Sequence, residues 1–241
     1  MKQNIYDNPR FFAAYKELRD SDKGLNELLE QPVMKRLLQE ASGKNILDIG
    51  CGLGHQISSL LTQNPYHITG IDISEKMIAE ANKRINDPKV DFYCIAAEDY
   101  LPEHEQFDIV ISSMSMHYVK EIQPLFTKIY QGLNQHGQFL FSIEHPVCTA
   151  AQKGWYETNN EKYWLLNKYG KEGERHQNWF LDGVIKYHRK LSTLVNDLTT
   201  AGFVVRNIEE PIPDDGLLMK RPDFIQHTER PPVVIFNCIK Y

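Results

Sequence analysis

Residues Ile46–His55 read ILDIGCGLGH, a short apolar run that leads into three glycines within five positions. A strand ending in such a loop is the mark of an open α/β sheet, in which ligands bind beyond the carboxyl ends of the strands. Glycine permits backbone angles and close ligand approach that a Cβ would obstruct. The spacing over Gly50, Gly52 and Gly54 is G-x-G-x-G. A dinucleotide fingerprint is G-x-G-x-x-G, and its last glycine position is taken here by the bulky His55. No Gly-Lys-Ser/Thr follows, so the loop is not a Walker A motif either. It contains no Lys or Arg, which suits a nucleotide ligand that carries no phosphates.

Outward from this loop, short apolar runs alternate with helix-prone segments. Strands are expected over Asn45–Ile49, Tyr66–Asp72, Val90–Ile95, Phe107–Ser112, Gly137–Ile143, Phe203–Glu209 and Pro232–Ile239. Helices are expected over Pro9 to about Glu40 with a break near Ser21–Gly24, over His55–Asn64, from the Ser74 cap to Arg84, over Ile122–Leu133 and over Leu191–Ala201. Alternation at this spacing predicts a mostly parallel sheet covered on both faces. The regularity lapses between His145 and Tyr187, a stretch rich in tryptophan and tyrosine that reads as an ordered insertion over the sheet edge. Pro211–Gly216 reads as a loop.

The 241 residues, 41% hydrophobic and 24% charged, predict one soluble globular domain. A formal net charge of -5 gives no broad cationic surface for nucleic acid, and no apolar run is long enough to cross a bilayer. The start, MKQNIYDNPRFF, lacks a signal-peptide core. Cys51, Cys94, Cys148 and Cys238 are far apart and without metal-site spacing, which predicts buried free thiols and a cytoplasmic location. Neither HExxH nor paired cysteines occur, so no metal is expected.

Asp72 closes the second expected strand, where a carboxylate accepts hydrogen bonds from both ribose hydroxyls of an adenosine. NAD enzymes share that arrangement. The segments ILDIGCGLG, ITGIDISEKMIAEA, VDFYCIAAEDYLP and FDIVISSMSMHYV decide further. Together they resemble the class I S-adenosylmethionine-dependent methyltransferases, in particular the type 11 small-molecule group, over about Asn45–Ile143. The resemblance implies a Rossmann-like seven-stranded sheet of order 3-2-1-4-5-7-6 with strand 7 antiparallel. It implies a division of residues 1–241 into a helical cap (1–43), a cofactor-binding core (44–144), an insertion over the acceptor pocket (145–187) and a completion of the sheet (188–241). It implies S-adenosylmethionine as methyl donor, wrapped by Asp48, Gly50, Cys51, Gly52 and Gly54, with Asp48 near the amino group. Asp72 would take the ribose and Ile73 would pack on adenine. Ala97 and Glu98 would lie at the adenine edge, and Ser112 and Ser113 would approach the methionine end. Ala96 stands where the family often has an acidic residue for the adenine amino group.

For the acceptor, methyl transfer needs alignment above all, and a base only if the nucleophile must lose a proton. His145, in SIEHP at the end of the fifth strand, is the first candidate base, and His117 after the fourth strand is the second. Tyr6, Tyr15 and Arg19 belong to the cap, from which a tyrosine hydroxyl meets the donor carboxylate in the family. A likeness to a bacterial subgroup places Trp179, Tyr187, His188 and Arg189 around the acceptor, or in the packing of the insertion. The expected partner is a small-molecule acceptor methylated on O or N, with no nucleic acid and no membrane, bound by a monomer or homodimer. An NAD-dependent oxidoreductase and a non-catalytic S-adenosylmethionine-binding protein are the alternatives.

Overall fold

The structure, a computed structural model, describes residues 2–21, 24–151, 154–159 and 161–241. The ILDI run becomes β1 (Asn45–Ile49), buried from Ile46 onward. In chain order follow β2 (His67–Asp72), β3 (Val90–Cys94), β4 (Phe107–Ser112) and β5 (Leu133–Glu144). Two hairpins come next, β6 (Trp155–Thr158) with β7 (Glu161–Trp164), and β8 (Gly173–Trp179) with β9 (Leu181–His188). The chain closes with β10 (Val204–Glu209) and β11 (Val233–Ile239).

The main sheet has seven strands in the order β3-β2-β1-β4-β5-β11-β10. Strands β1 to β5 run parallel, and β11 is antiparallel to both β5 and β10, so the sheet is mixed. The two hairpins displace the numbering expected from sequence, and the last two places in the sheet fall to the tenth and eleventh strands. They also correct the reading of 145–187 as a stretch without regular elements. Strands β8 and β9 alternate burial along the chain, a pattern that the tryptophans and glycines of this segment mask.

Nine α-helices accompany the strands among the described residues: α1 (Pro9–Asp20), α2 (Gln31–Leu37), α3 (His55–Leu61), α4 (Glu75–Arg84), α5 (Ile122–Gly132), α6 (Pro146–Ala150), α7 (Leu191–Ala201), α8 (Asp215–Lys220) and α9 (Gln226–Glu229). Asn8 caps α1 by accepting the Arg10 and Phe11 N–H groups, and Ser74 caps α4 by accepting that of Met77. The helix expected beyond that break, to about Glu40, is divided into a π-helical turn, Asn26–Glu30, and α2. Pro32 sits in the first turn of α2, where its missing N–H costs little. The expected break near Ser21–Gly24 falls partly on residues 22 and 23, outside the described residues. The loop expected at 211–216 continues into α8, a 3-10 turn and α9.

Both faces of the sheet are covered. Leu47, Phe139, Phe141 and Phe236 pack with residues of α5 and α7, while Ile46, Ile109, Leu140 and Ile235 pack with residues of α2 and α3. The rings of Phe139 and Phe141 stack at 4.6 Å, and those of Phe141 and Phe236 at 4.9 Å. Strands buried on both faces read as continuous apolar runs, which is why the core was legible in sequence.

Ahead of α1, the chain crosses the carboxyl edge of the sheet as a strap. Asp7 accepts the Ser74 hydroxyl at 2.6 Å and the Lys76 N–H at 3.1 Å, and Asn4 donates to the Ile73 carbonyl at 3.1 Å. Gln3 accepts the Ile185 N–H of β9 at 2.9 Å. These contacts hold Tyr6 against the site.

Candidate active site at the carboxyl ends of β1, β2 and β4

A cavity of about 550 Å³ opens at this edge. Its floor is Ile49, Gly50 and Gly52 after β1, and one wall is Asp72, Ile73 and Met77 after β2. Ile95, Ala97, Glu98 and Leu125 form a second wall, and Tyr6, Tyr15, Tyr118, Ile185 and Tyr187 the far end. A narrow recess of about 30 Å³ continues beneath Tyr15, Gly50, Gly52 and Ser113, and is lined also by Arg19, Asp48, Cys51, His55 and Gln56.

The glycines divide into two kinds. Gly50 and Gly52 have φ of +73° and +54°, but a Cβ on Gly50 would meet the Ser115 side chain at 2.5 Å, whereas no atom lies within 4 Å of where a Cβ on Gly52 would sit. That open space is what close ligand approach requires. Gly54 does not line the cavity: it begins α3, and its missing Cβ makes room for Ile85, Ala81 and Phe92.

Asp72 is fixed by backbone donors, Gly52 N–H at 3.0 Å and Ser74 N–H at 2.9 Å. Burial pushes its carboxyl up to about 6 in spite of these bonds. Asp48 is 1% exposed, and its Oδ2 is buried and accepts no hydrogen bond from the described residues. Burial, with Asp72 and Glu30 nearby, pushes it up to about 8. A buried carboxyl left unpaired in a recess is costly unless a ligand supplies a donor or a positive charge. Arg19 reaches the same recess from α1, paired with Glu27 at 2.7 Å.

Several expected residues fall elsewhere. Ser112 lies behind the cavity wall, donating to the Ile49 carbonyl at 2.9 Å and meeting the Ser115 hydroxyl at 2.6 Å. It ties β4 to β1, while Ser113, Met114 and Ser115 face the cavity. Cys51 belongs to the recess alone. Of the four free cysteines, Cys51, Cys148 and Cys238 are buried, but Cys94 is exposed, contrary to expectation.

Neither histidine is brought to the main cavity. His117 is buried and accepts the Glu144 N–H at Nδ1, 3.3 Å away. Burial, with Lys186 and Arg189 near, holds it well below its ordinary range. His145 caps α6, accepting the Val147 N–H at 3.1 Å, and its Nε2 lies 2.6 Å from Glu210. Both its ring nitrogens are committed to the fold. Arg189, which sequence could pair with Glu209 or Glu210, instead donates to the Val119 and Lys120 carbonyls at 2.5 and 2.6 Å. Trp179 packs edge to face on Phe11 and Tyr15.

Tyr118, which follows the fourth strand together with His117, lines the cavity, whereas Glu30 escaped sequence reasoning. Glu30 is fully buried and accepts the hydroxyls of Ser113 at 2.7 Å and Ser142 at 2.6 Å, and the Gln31 side-chain amide at 2.9 Å. Ser142 in turn accepts the Met114 N–H at 2.9 Å, so Glu30 organises the loop after β4. The one local signal was Pro32, which marks the irregular turn that carries Glu30.

A family model described as a methyltransferase domain matches residues 46–137. The chain is 30% identical to a crystal structure described as an S-adenosylmethionine dependent methyltransferase from Mesorhizobium loti, with a TM-score of 0.85, over 91% of this chain and 99% of that one. It is 34% identical to an uncharacterized protein of Haemophilus influenzae, over 99% of this chain and 98% of that protein. A malonyl-[acyl-carrier protein] O-methyltransferase of Bacillus cereus is 34% identical over 46% of this chain and 41% of its own length. The chain belongs to the class I S-adenosylmethionine-dependent methyltransferases. Its methyl donor is S-adenosylmethionine. Among the described residues no helix is long and apolar enough to cross a membrane, and no group of three or more His, Cys, Asp or Glu is placed to hold a metal.

Proposed function

We propose that the cavity aligns the donor with a small-molecule acceptor and that the methyl group passes to an O or N atom by in-line displacement. The observation that carries this reading is Asp48, whose buried Oδ2 has no hydrogen-bond partner among the described residues. It lines a recess that shares Tyr15, Gly50, Gly52 and Ser113 with the main cavity. The donor supplies an ammonium for Asp48 and a sulfonium methyl for transfer. Asp72 takes the ribose hydroxyls, its carboxylate held in place by Gly52 and Ser74. Gly52 admits the donor close to the backbone, and Gly50 leaves room for Ser115 beside it. Ile73, Ala97 and Glu98 enclose adenine, and Arg19 with Tyr15 receives the donor carboxylate.

The residues of this chain then act by position. The strap and α1 exclude water and close the acceptor end, which strengthens the electrostatic contacts inside. Cys51 and Gly54 support the loop, and Ser112 keeps the wall after β4 in place. On this reading the cap (1–43) and insertion (145–187) shape the acceptor end, while 44–144 holds the donor and 188–241 completes the sheet. Titration calorimetry tests the reading: S-adenosylmethionine should bind with micromolar affinity and NAD should not. Equal binding of both would overturn it.

A further inference from the structure

We infer that Gln56 is a second acceptor for the donor's ammonium, placed beside Asp48 in the recess beneath Gly50 and Gly52; this rests on the methyl-transfer reading of the same site. Asp48 stands in β1 and Gln56 is the second residue of α3, with the glycine loop between them. The Gly54 N–H donates to the Cys51 carbonyl at 3.0 Å, and Gly54 itself has φ of +78°. This tight reversal turns the start of α3 back toward the end of β1, so that Gln56 and Asp48 line one recess.

Among the described residues, six buried side-chain polar atoms have no hydrogen-bond partner. Three of them belong to residues that line this recess: Asp48 Oδ2, Gln56 Oε1 and Arg19 Nη1. The other three, on Asn4, Arg175 and Arg230, belong to residues that do not line it. Arg19 Nη1 faces Glu27 at 2.7 Å and is compensated there. The two oxygens have no such compensation, and a buried acceptor left empty costs free energy that a ligand's donors recover.

The chemistry of the pair selects the group that fills it. An ammonium carries three N–H donors and no acceptor, so it serves Asp48 Oδ2 and Gln56 Oε1 together. A carboxylate would meet two oxygens and no donor from this pair, and a hydroxyl has one O–H for two acceptors. A recess of about 30 Å³ holds one small polar group. Asp48 already feels the charges of Asp72 and Glu30. An amide at position 56 adds an acceptor for the ammonium without adding a fourth carboxylate to that group. Gln56 therefore selects ligands that carry the α-ammonium over nucleosides that lack it.

The test is calorimetric and uses three ligands: S-adenosylhomocysteine, its deaminated analogue with hydrogen in place of the ammonium, and its decarboxylated analogue with hydrogen in place of the carboxylate. The weaker ligands are measured by displacement. Gln56→Met keeps the length of the side chain and removes its carbonyl. It should weaken S-adenosylhomocysteine and the decarboxylated analogue about tenfold each, and the deaminated analogue less than about twofold. Gln56→Ala should show the same dependence on ligand. Unchanged binding of the deaminated analogue reports an intact fold and loop in each variant. Equal losses for all three ligands, no loss for any, or a loss confined to ligands with a carboxylate would overturn the inference alone. Failure of the wild-type protein to bind S-adenosylhomocysteine would overturn the methyl-transfer reading and the inference with it.

Discussion

The two ends of the cavity are built in different ways. At the donor end, Gly50, Gly52 and Asp72 lie on loops directly after adjacent parallel strands, and backbone N–H groups fix the carboxylate. At the far end, Tyr6, Tyr118 and Tyr187 arrive on three elements that are far apart in sequence. The donor end depends on local order, the acceptor end on packing between separate elements. Changes at the first should therefore act on donor affinity, and changes at the second on acceptor choice.

The largest effect is expected at the donor end. Asp72→Ala removes the proposed acceptor of the two ribose hydroxyls, and charged hydrogen bonds contribute about 1.5–3 kcal/mol. Donor affinity should fall about 10- to 100-fold by calorimetry, and an unchanged affinity would break the ribose assignment.

A second effect separates Asp48 from Asp72 through pH. Both carboxyls are raised in the folded protein, to about 8 and about 6, so the folded state binds more protons than the unfolded chain above the ordinary carboxylate range. Their contribution to stability without donor is therefore present below pH 4 and is lost as pH rises through 6 and then 8. Below about pH 6.5 the buried histidines, held below their ordinary range, oppose it, so the decline stands clear between pH 6.5 and 8. Urea midpoints measured across this window should show the decline, and Asp48→Asn should flatten its upper half.

The smallest effect is expected at the histidine that sequence put forward as a base. His145→Ala removes a helix cap and should cost about 1 kcal/mol of stability. Turnover at a temperature where both proteins are folded should change less than about twofold. A large loss of kcat with unaltered donor affinity would restore His145 to the chemistry.

The same contrast explains what the sequence made legible. The loop at 50–54 and Asp72 follow strands whose apolar runs are continuous because both faces are buried, so their places at the sheet edge could be read directly. His117 and Tyr118 are neighbours, and only the pitch of a single 3-10 turn sends one into the core and the other into the cavity. Such a choice leaves no trace in residue type. His145 was chosen for its intrinsic chemistry, but Glu210, which holds it, lies on the far side of β10 in the chain. Glu30 is held by Ser113 and Ser142, partners 83 and 112 residues away in the chain.

The central claim is that the donor's ammonium meets Asp48. At pH 7 this carboxyl is largely protonated in the free protein, and pairing with an ammonium requires it to ionise. Calorimetry of S-adenosylmethionine at pH 7, in buffers of different ionisation enthalpy, counts the protons released. The account predicts close to one proton released per donor bound in the wild-type protein and almost none in Asp48→Asn. Tight wild-type binding with no proton released would contradict it.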